Sequence, residues 1–268
     1  MDNRAVGIFD SGLGGLTAMK ALRELLPEEN IIYFGDTGRL PYGAKTREQL
    51  RRMAVQDLDL IASHGVKAVI VACGTLSSNA AEILDAYPVP AFGVLKAGVA
   101  GMTKIPGTGP LGVIATEASI RSGAFAAALR ARRPDAEVFS KPCQSLVALA
   151  EHGHFSPDDP VARAAVAEEF APLKALRPDT LLLACTHFPL FRETIARCMG
   201  PDVALLSVGE ETARALKRTL EQRDMLARRE RGARRWFTSG STAEFERLGA
   251  IFLGHPISAE LHIHQENL

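Results

Sequence analysis

Two of the chain's four cysteines, Cys73 and Cys185, each close an uninterrupted apolar run and precede small or hydroxylated residues. Gly74, Thr75, Ser77 and Ser78 follow the first; Thr186 and His187 follow the second. Hydroxyls in those places suit a helix N-cap, so each sulfur is expected near a helix N-terminus, whose partial positive charge lowers a thiol pKa. A thiolate there is a competent base. Taken singly, such a cysteine reads as a small buried hydrophobe. Two in matching positions make a matched acid–base pair, able to remove a proton from one face of a tetrahedral carbon and return one to the other.

Other uses of cysteine are less well served. There is no C-x-x-C, and Cys185 with His187 supplies too few spaced ligands for a closed zinc site, so no metal is expected. The pairs His152/His154 and His262/His264 stand in polar context and read as solvated. A cysteine–histidine acyl-transfer nucleophile would use Cys185 and His187, but two residues leaving the same strand need not form a nucleophile–base pair, and Cys73 would have no role. Cys143, at an apparent strand end, and Cys198, inside a helical pattern, lack matching partners and read as structural.

Two loops complete the polar inventory. The turn Asp10-Ser-Gly-Leu-Gly-Gly15 has neither the spacing of a dinucleotide fingerprint nor the Gly-Lys-Ser/Thr of a Walker loop. Asp10 would repel a phosphate and suits an ammonium better. In Gly35-Asp-Thr-Gly-Arg-Leu-Pro-Tyr-Gly43, Pro41 and Gly43 could hold the Tyr42 backbone against a carboxylate, although a plain loop rich in turn formers explains the residues equally.

The elements that must position these residues alternate. Apolar runs at 5–10, 31–35, 68–73, 91–95, 111–116, 136–140, 180–185 and 203–208 read as strands, with helical patterns at 16–26 and 47–63 between the first three. The expected fold class is α/β: two similar doubly wound domains with mostly parallel sheets and the active site in the cleft between them. The first domain is expected over 1–95, completed by 208–268, and the second over 96–207. A repeat supports this. Val6 to Ser11 is echoed by Leu111 to Thr116, and Val69 to Thr75 by Leu181 to His187, at spacings of 105 and 112 residues. Chance likeness between buried strands is the alternative, and the Ala-Cys at both strand ends argues against it.

Thirty-one basic and thirty-one acidic residues leave a formal net charge of zero, so no global field recruits nucleic acid or an anionic membrane. A helical pattern from Glu210 to Gln222 and beyond carries Arg228, Arg229, Arg231, Arg234 and Arg235. Interrupted by Glu230 and without stacking aromatics before Trp236, this run reads as a solvated helix face. The opening residues show no leader, no apolar run approaches bilayer length, and the cysteines are widely spaced, so free thiols in the cytoplasm are expected.

Together these motifs resemble the glutamate racemases of the aspartate/glutamate racemase family. The resemblance rests on Gly7-Ile-Phe-Asp-Ser-Gly-Leu-Gly-Gly-Leu16, Tyr33-Phe-Gly-Asp-Thr37, Leu40-Pro-Tyr-Gly43, Ala72-Cys73, Gly93-Val94 and Ala184-Cys-Thr-His-Phe-Pro-Leu190. The later Trp236-Phe-Thr-Ser-Gly240 and Ile251-Phe-Leu-Gly254 extend it. It implies cofactor-independent interconversion of L- and D-glutamate, without pyridoxal phosphate or metal, supplying D-glutamate for peptidoglycan. Cys73 and Cys185 match the two catalytic bases, one for each enantiomer. Asp10, Ser11, Tyr42, Gly43, Gly74, Thr75, Thr186 and His187 match substrate-binding positions, with Asp10 and His187 assisting the cysteines. Thr116 and Glu151 match a hydroxyl and a carboxylate lining the family's cleft. A small-molecule substrate and a homodimer are the implied partners, with no nucleic acid and no membrane.

Departures from the family pattern are few. Gly74 stands where the family most often has Asn, which removes one side-chain hydrogen bond to the substrate. Ser119 and Phe125 stand where Thr and Tyr are expected. The competing readings are aspartate racemisation or dicarboxylate isomerisation on the same scaffold, and a non-catalytic ligand-binding or gyrase-inhibiting protein. His187 favours glutamate, since aspartate-type relatives tend to carry an acidic residue there.

Overall fold

The structure, a computed structural model, describes residues 1–262. Its ten strands are β1 (Val6–Asp10), β2 (Ile31–Gly35), β3 (Ala68–Val71), β4 (Ala91–Gly93), β5 (Leu111–Ala115), β6 (Val138–Pro142), β7 (Thr180–Leu183), β8 (Ala204–Ser207), β9 (Arg234–Thr238) and β10 (Ala259–Leu261). They form two sheets, ordered β10-β9-β2-β1-β3-β4 and β6-β5-β7-β8, and every pairing among them is parallel. The second order repeats the β2-β1-β3-β4 part of the first. The two cysteine-bearing strands, β3 and β7, therefore occupy equivalent places, each beside a central strand.

Helices cover both faces, as parallel strands joined by crossovers require. α1 (Leu16–Leu25), α2 (Arg47–Ser63), α3 (Gly74–Asn79) and α4 (Ala81–Ala86) serve the first sheet, and α5 (Val94–Met102) leads from β4 toward the second. There lie α6 (Glu117–Arg121), α7 (Ala124–Arg132), α8 (Gln144–Glu151), α9 (Pro160–Ala175) and α10 (Arg192–Met199). α11 (Val208–Gln222) returns the chain to the first sheet, and α12 (Thr242–Leu253) joins β9 to β10. β1, β2, β3, β5 and β7 are buried along their whole length, which is why their sequences read as unbroken apolar runs. α2 begins at a reciprocal cap: Gln49 N–H donates to Thr46 Oγ1, and the Thr46 N–H to Gln49 Oε1.

Two points of the sequence reading are corrected. Helix α11 ends at Gln222, so the arginine run does not continue it. Arg228, Arg229 and Arg231 lie in the connection to β9, and Arg234 and Arg235 lie in β9 itself. β9 and β10 were not anticipated as strands. They extend the first sheet beyond β2, and Arg235 pairs with Glu260 across them at 3.0 Å. Of the paired histidines, His264 lies outside the described residues.

Cys143 follows β6 and is fully buried, and Cys198 sits in α10. All four cysteines are free thiols. No helix among the described residues is long and apolar enough to cross a membrane.

Candidate active site

β3 and β7 each end two residues before a cysteine, so both sulfurs leave the sheets at the carboxyl ends of their strands. Cys73 and Cys185 line the same cleft, of about 570 Å³. The hydroxylated residues Ser11, Thr75, Thr116 and Thr186 line it too, as do Gly43 and Gly74. Thr75 Oγ1 and Thr116 Oγ1 lie 3.2 Å apart, joining the first turn of α3 to the N-cap of α6.

The Cys73 thiol points to Ser11 Oγ at 3.6 Å. Cys73 is itself the N-cap residue of α3, a helix of only six residues, and its side chain makes no capping bond. The expected lowering of this thiol pKa is not found. Burial, followed by the Asp10 carboxyl, pushes it up to about 12. Burial also raises the Asp10 carboxyl above its ordinary range, against the pull of His187 and of the neighbouring amides. Asp10 is 1% exposed and lies beneath the cleft wall rather than in it. Its Oδ2 accepts from the Gly12 and Gly15 amides at 3.2 and 3.0 Å, whereas its buried Oδ1 has no partner.

The other side is built differently. Cys185 precedes a single 3₁₀ turn (Phe188–Phe191), and His187 is the residue that caps it. His187 Nδ1 lies 3.7 Å from Cys185 Sγ, and Nε2 lies 3.4 Å from Glu151 Oε1 without hydrogen-bond alignment. Burial opposes charge on this ring, yet the Cys185 and Glu151 contacts outweigh it and hold the imidazolium up to about 10. Gly14 makes the approach possible. A Cβ there would stand 2.7 Å from His187 Nδ1, so the glycine-rich turn admits the opposite strand end rather than a phosphate. Thr17 Oγ1, one turn on, donates to the Thr186 carbonyl at 2.8 Å and locks the two together.

Tyr42 lines the cleft. Its buried hydroxyl turns inward, donating to Asp36 and, at 3.0 Å, to Asp57. Arg39 closes the group, 2.5 Å from each of the two carboxylates.

Of the twelve site residues expected from the sequence, eleven line the cleft and Asp10 underlies it. Others were missed. Gln144, Val147 and Ala148 line the cleft with Glu151. They recur at the spacing of one face of α8, a helical period that the sequence already carries. Leu40 and Glu117 neighbour residues that the sequence singles out, Pro41 and Thr116. Among the described residues no Lys or Arg lines the cleft, and His187 is the one cationic side chain there. Among the described residues, no three His, Cys, Asp or Glu side chains converge as metal ligands.

Residues 16–227 match the family model described as Asp/Glu/Hydantoin racemase. The chain is 38% identical over 252 residues to the glutamate racemase of Chlorobaculum tepidum, covering 93% of this chain and 92% of that protein. The glutamate racemase isoform RacE1 from Bacillus anthracis superposes with a TM-score of 0.91 at 32% identity, covering 98% of both chains. The glutamate racemase of Francisella tularensis, solved in complex with D-glutamate, gives 0.88 at 34% identity over 99% of this chain and 98% of that one. The chain thus belongs to the Asp/Glu/hydantoin racemase family and is an isomerase.

Proposed function

We propose that the protein interconverts L- and D-glutamate by exchange of the α-proton between Cys73 and Cys185, and that the D-glutamate formed supplies peptidoglycan. The observation that carries this reading is the pairing of equivalent strand-end cysteines in one cleft. One sulfur, as thiolate, takes the α-proton: the C–H bond breaks, an S–H bond forms, and the electron pair stays on carbon, delocalised into the α-carboxylate. The other sulfur, as thiol, gives its proton to the opposite face and becomes the thiolate. The pair is then poised for the reverse reaction.

The two surroundings suit these states. Cys73, with its raised pKa, holds its proton in the free protein. Beside Cys185, the His187 imidazolium stabilises the negative charge that this sulfur carries as a base. The substrate carboxylates are taken by cleft hydroxyls and by the backbone amides of Tyr42, Gly43 and Gly74, and Asp10 Oδ1 supports the proton transfers at Cys73. The lobes, 1–95 with 208–268 and 96–207, close over the substrate about α5 and α11, where the chain crosses between sheets. Closure keeps a carbanion-like intermediate from bulk water.

The test is incubation of purified protein with L-glutamate in D2O without added cofactor, following optical rotation and deuterium at the α-carbon. Loss of rotation with one deuterium incorporated is expected. No exchange would sink the reading, and exchange with aspartate alone would move it to the sister activity. Cys73→Ser and Cys185→Ser should each abolish turnover, whereas Cys143→Ser and Cys198→Ser should leave most of it.

A further inference from the structure

The arginine run leads to a second cavity, far from either cysteine. At the amino-terminal edge of β9, Arg231 and Arg234 meet Arg23 from the last turn of α1, around a hollow that Trp236 and His255 also line. None of the three guanidiniums has a carboxylate partner among the described residues. Glu230, the one acid in the lining, pairs with none of them.

We propose that this cavity is a binding site for a multiply charged phosphate anion, its oxygens bridging the guanidiniums of Arg23, Arg231 and Arg234. Arginine suits such a ligand because its planar fork of donors matches phosphate geometry, and a multiply charged anion offsets three like charges at once. Two donors of the lining residues lack an acceptor, Nε of Arg234 and Nε1 of Trp236, both buried behind the hollow, and their dipoles add to its positive potential. Crowding is already felt, since burial and then the charges of Arg23 and Arg231 lower the Arg234 pKa.

The frame is fixed before any ligand arrives. His255 Nδ1 lies 3.0 Å from the Pro256 carbonyl and donates to it, which leaves Nε2 to accept from Arg23 Nη1 at 2.9 Å. Between Arg231 and Arg234 the backbone is tied down: Gly232 N–H donates to the Pro27 carbonyl at 3.0 Å, and Ala233 N–H to Asn30 Oδ1 at 2.9 Å. A surface run of solvated arginines needs neither restraint.

Trp236 is the only tryptophan, so its emission reports on this cavity directly. The full chain is titrated with inorganic pyrophosphate, and separately with inorganic phosphate, at constant ionic strength held with chloride. Heat and tryptophan emission are followed together. A saturable heat with a parallel emission change is expected for pyrophosphate, with weaker binding of phosphate. Arg231→Gln with Arg234→Gln should weaken binding by about 10-fold or more, leaving α-proton exchange at the cleft unchanged. Arg231→Gln alone, at an exposed loop position, should weaken it in the same direction without risk to β9. No saturable heat, or heat undiminished in both variants, would overturn the proposal. So would binding confined to vesicles of anionic lipid. Because binding is the readout, the result stands apart from that of the racemase test.

Discussion

The side chain that Gly74 lacks would begin 2.6 Å from the carbonyl oxygen of Ala184. That oxygen belongs to the backbone just after β7, so it yields little, and residue 74 beside the first sheet meets residue 184 of the second with no atom between them. The missing Asn thus leaves no empty subsite at this point: the space is filled by the facing strand end. Gly74→Ala should force the strand ends apart. Overpacking of this kind costs about 1–3 kcal/mol, and under the proposed closure over substrate it should appear as a KM raised roughly 10-fold. Steady-state racemisation by circular dichroism tests this, and an unchanged KM would show that the contact is slack.

Asp57 lies under the same cleft without touching it. Its carboxylate and that of Asp36 hold both Arg39 and the Tyr42 hydroxyl, and Tyr42 lines the cleft. Asp57→Ala leaves Arg39 paired with Asp36 but takes a buried acceptor from both the guanidinium and the Tyr42 hydroxyl, a loss of about 1–3 kcal/mol. Destabilisation of that order is expected in urea. At temperatures where the variant remains folded, KM should rise more than kcat falls, as the loop bearing Tyr42 and Gly43 loses its anchor. Equal loss in both parameters would instead point to a direct part in the proton transfers.

What the sequence disclosed, and what it hid, follows from the same physics. Strands buried on both faces must be apolar throughout, so β1, β3, β5 and β7 stand out, and their Ala-Cys endings with them. β9 hid because it begins with Arg234 and Arg235, whose charges look like a solvated face until Glu260 is seen across the strand pair. The cleft face of α8 was equally quiet: Gln144, Val147 and Ala148 carry no chemistry of their own, and only their spacing from Glu151 marks them. Burial was the hardest quantity to foresee. The strand-end position suggested a lowered thiol pKa, whereas the closed surroundings of Cys73 and its nearness to Asp10 reverse the sign.

Away from the cleft, Lys67 and Glu29 form a buried ion pair at 2.6 Å beneath the first sheet. Lys67 Nζ also donates to the carbonyls of Asp2 and Met225, and Glu29 Oε1 accepts from the Ala227 amide, so the pair ties the amino-terminal segment and the connection between α11 and β9 to the sheet. Lys67→Met should cost about 3–5 kcal/mol by leaving Glu29 charged and alone. Adding Glu29→Gln should recover part of that loss. Denaturant unfolding of the two variants decides it, and a double variant no more stable than the single would mean that the charge of Glu29 is not the source of the cost.

His187 gives a pH dependence of definite sign. Its pKa rises from an unfolded value near 6.5 to about 10 in the folded protein, so the folded state holds this proton more tightly. The stabilisation is complete below pH 6.5 and is lost as pH climbs through about 10. Unfolding free energy should therefore fall across that window in the wild type more steeply than in His187→Asn. Glu151→Gln removes one of the groups holding the charge and should move the His187 titration downward, which ring-nitrogen chemical shifts report site by site. A His187 titration near 6.5 in the wild type would remove the fixed cation from the Cys185 side of the cleft. The asymmetry between the two sulfurs, an imidazolium beside one and a buried carboxyl beside the other, would then have to arise from substrate binding.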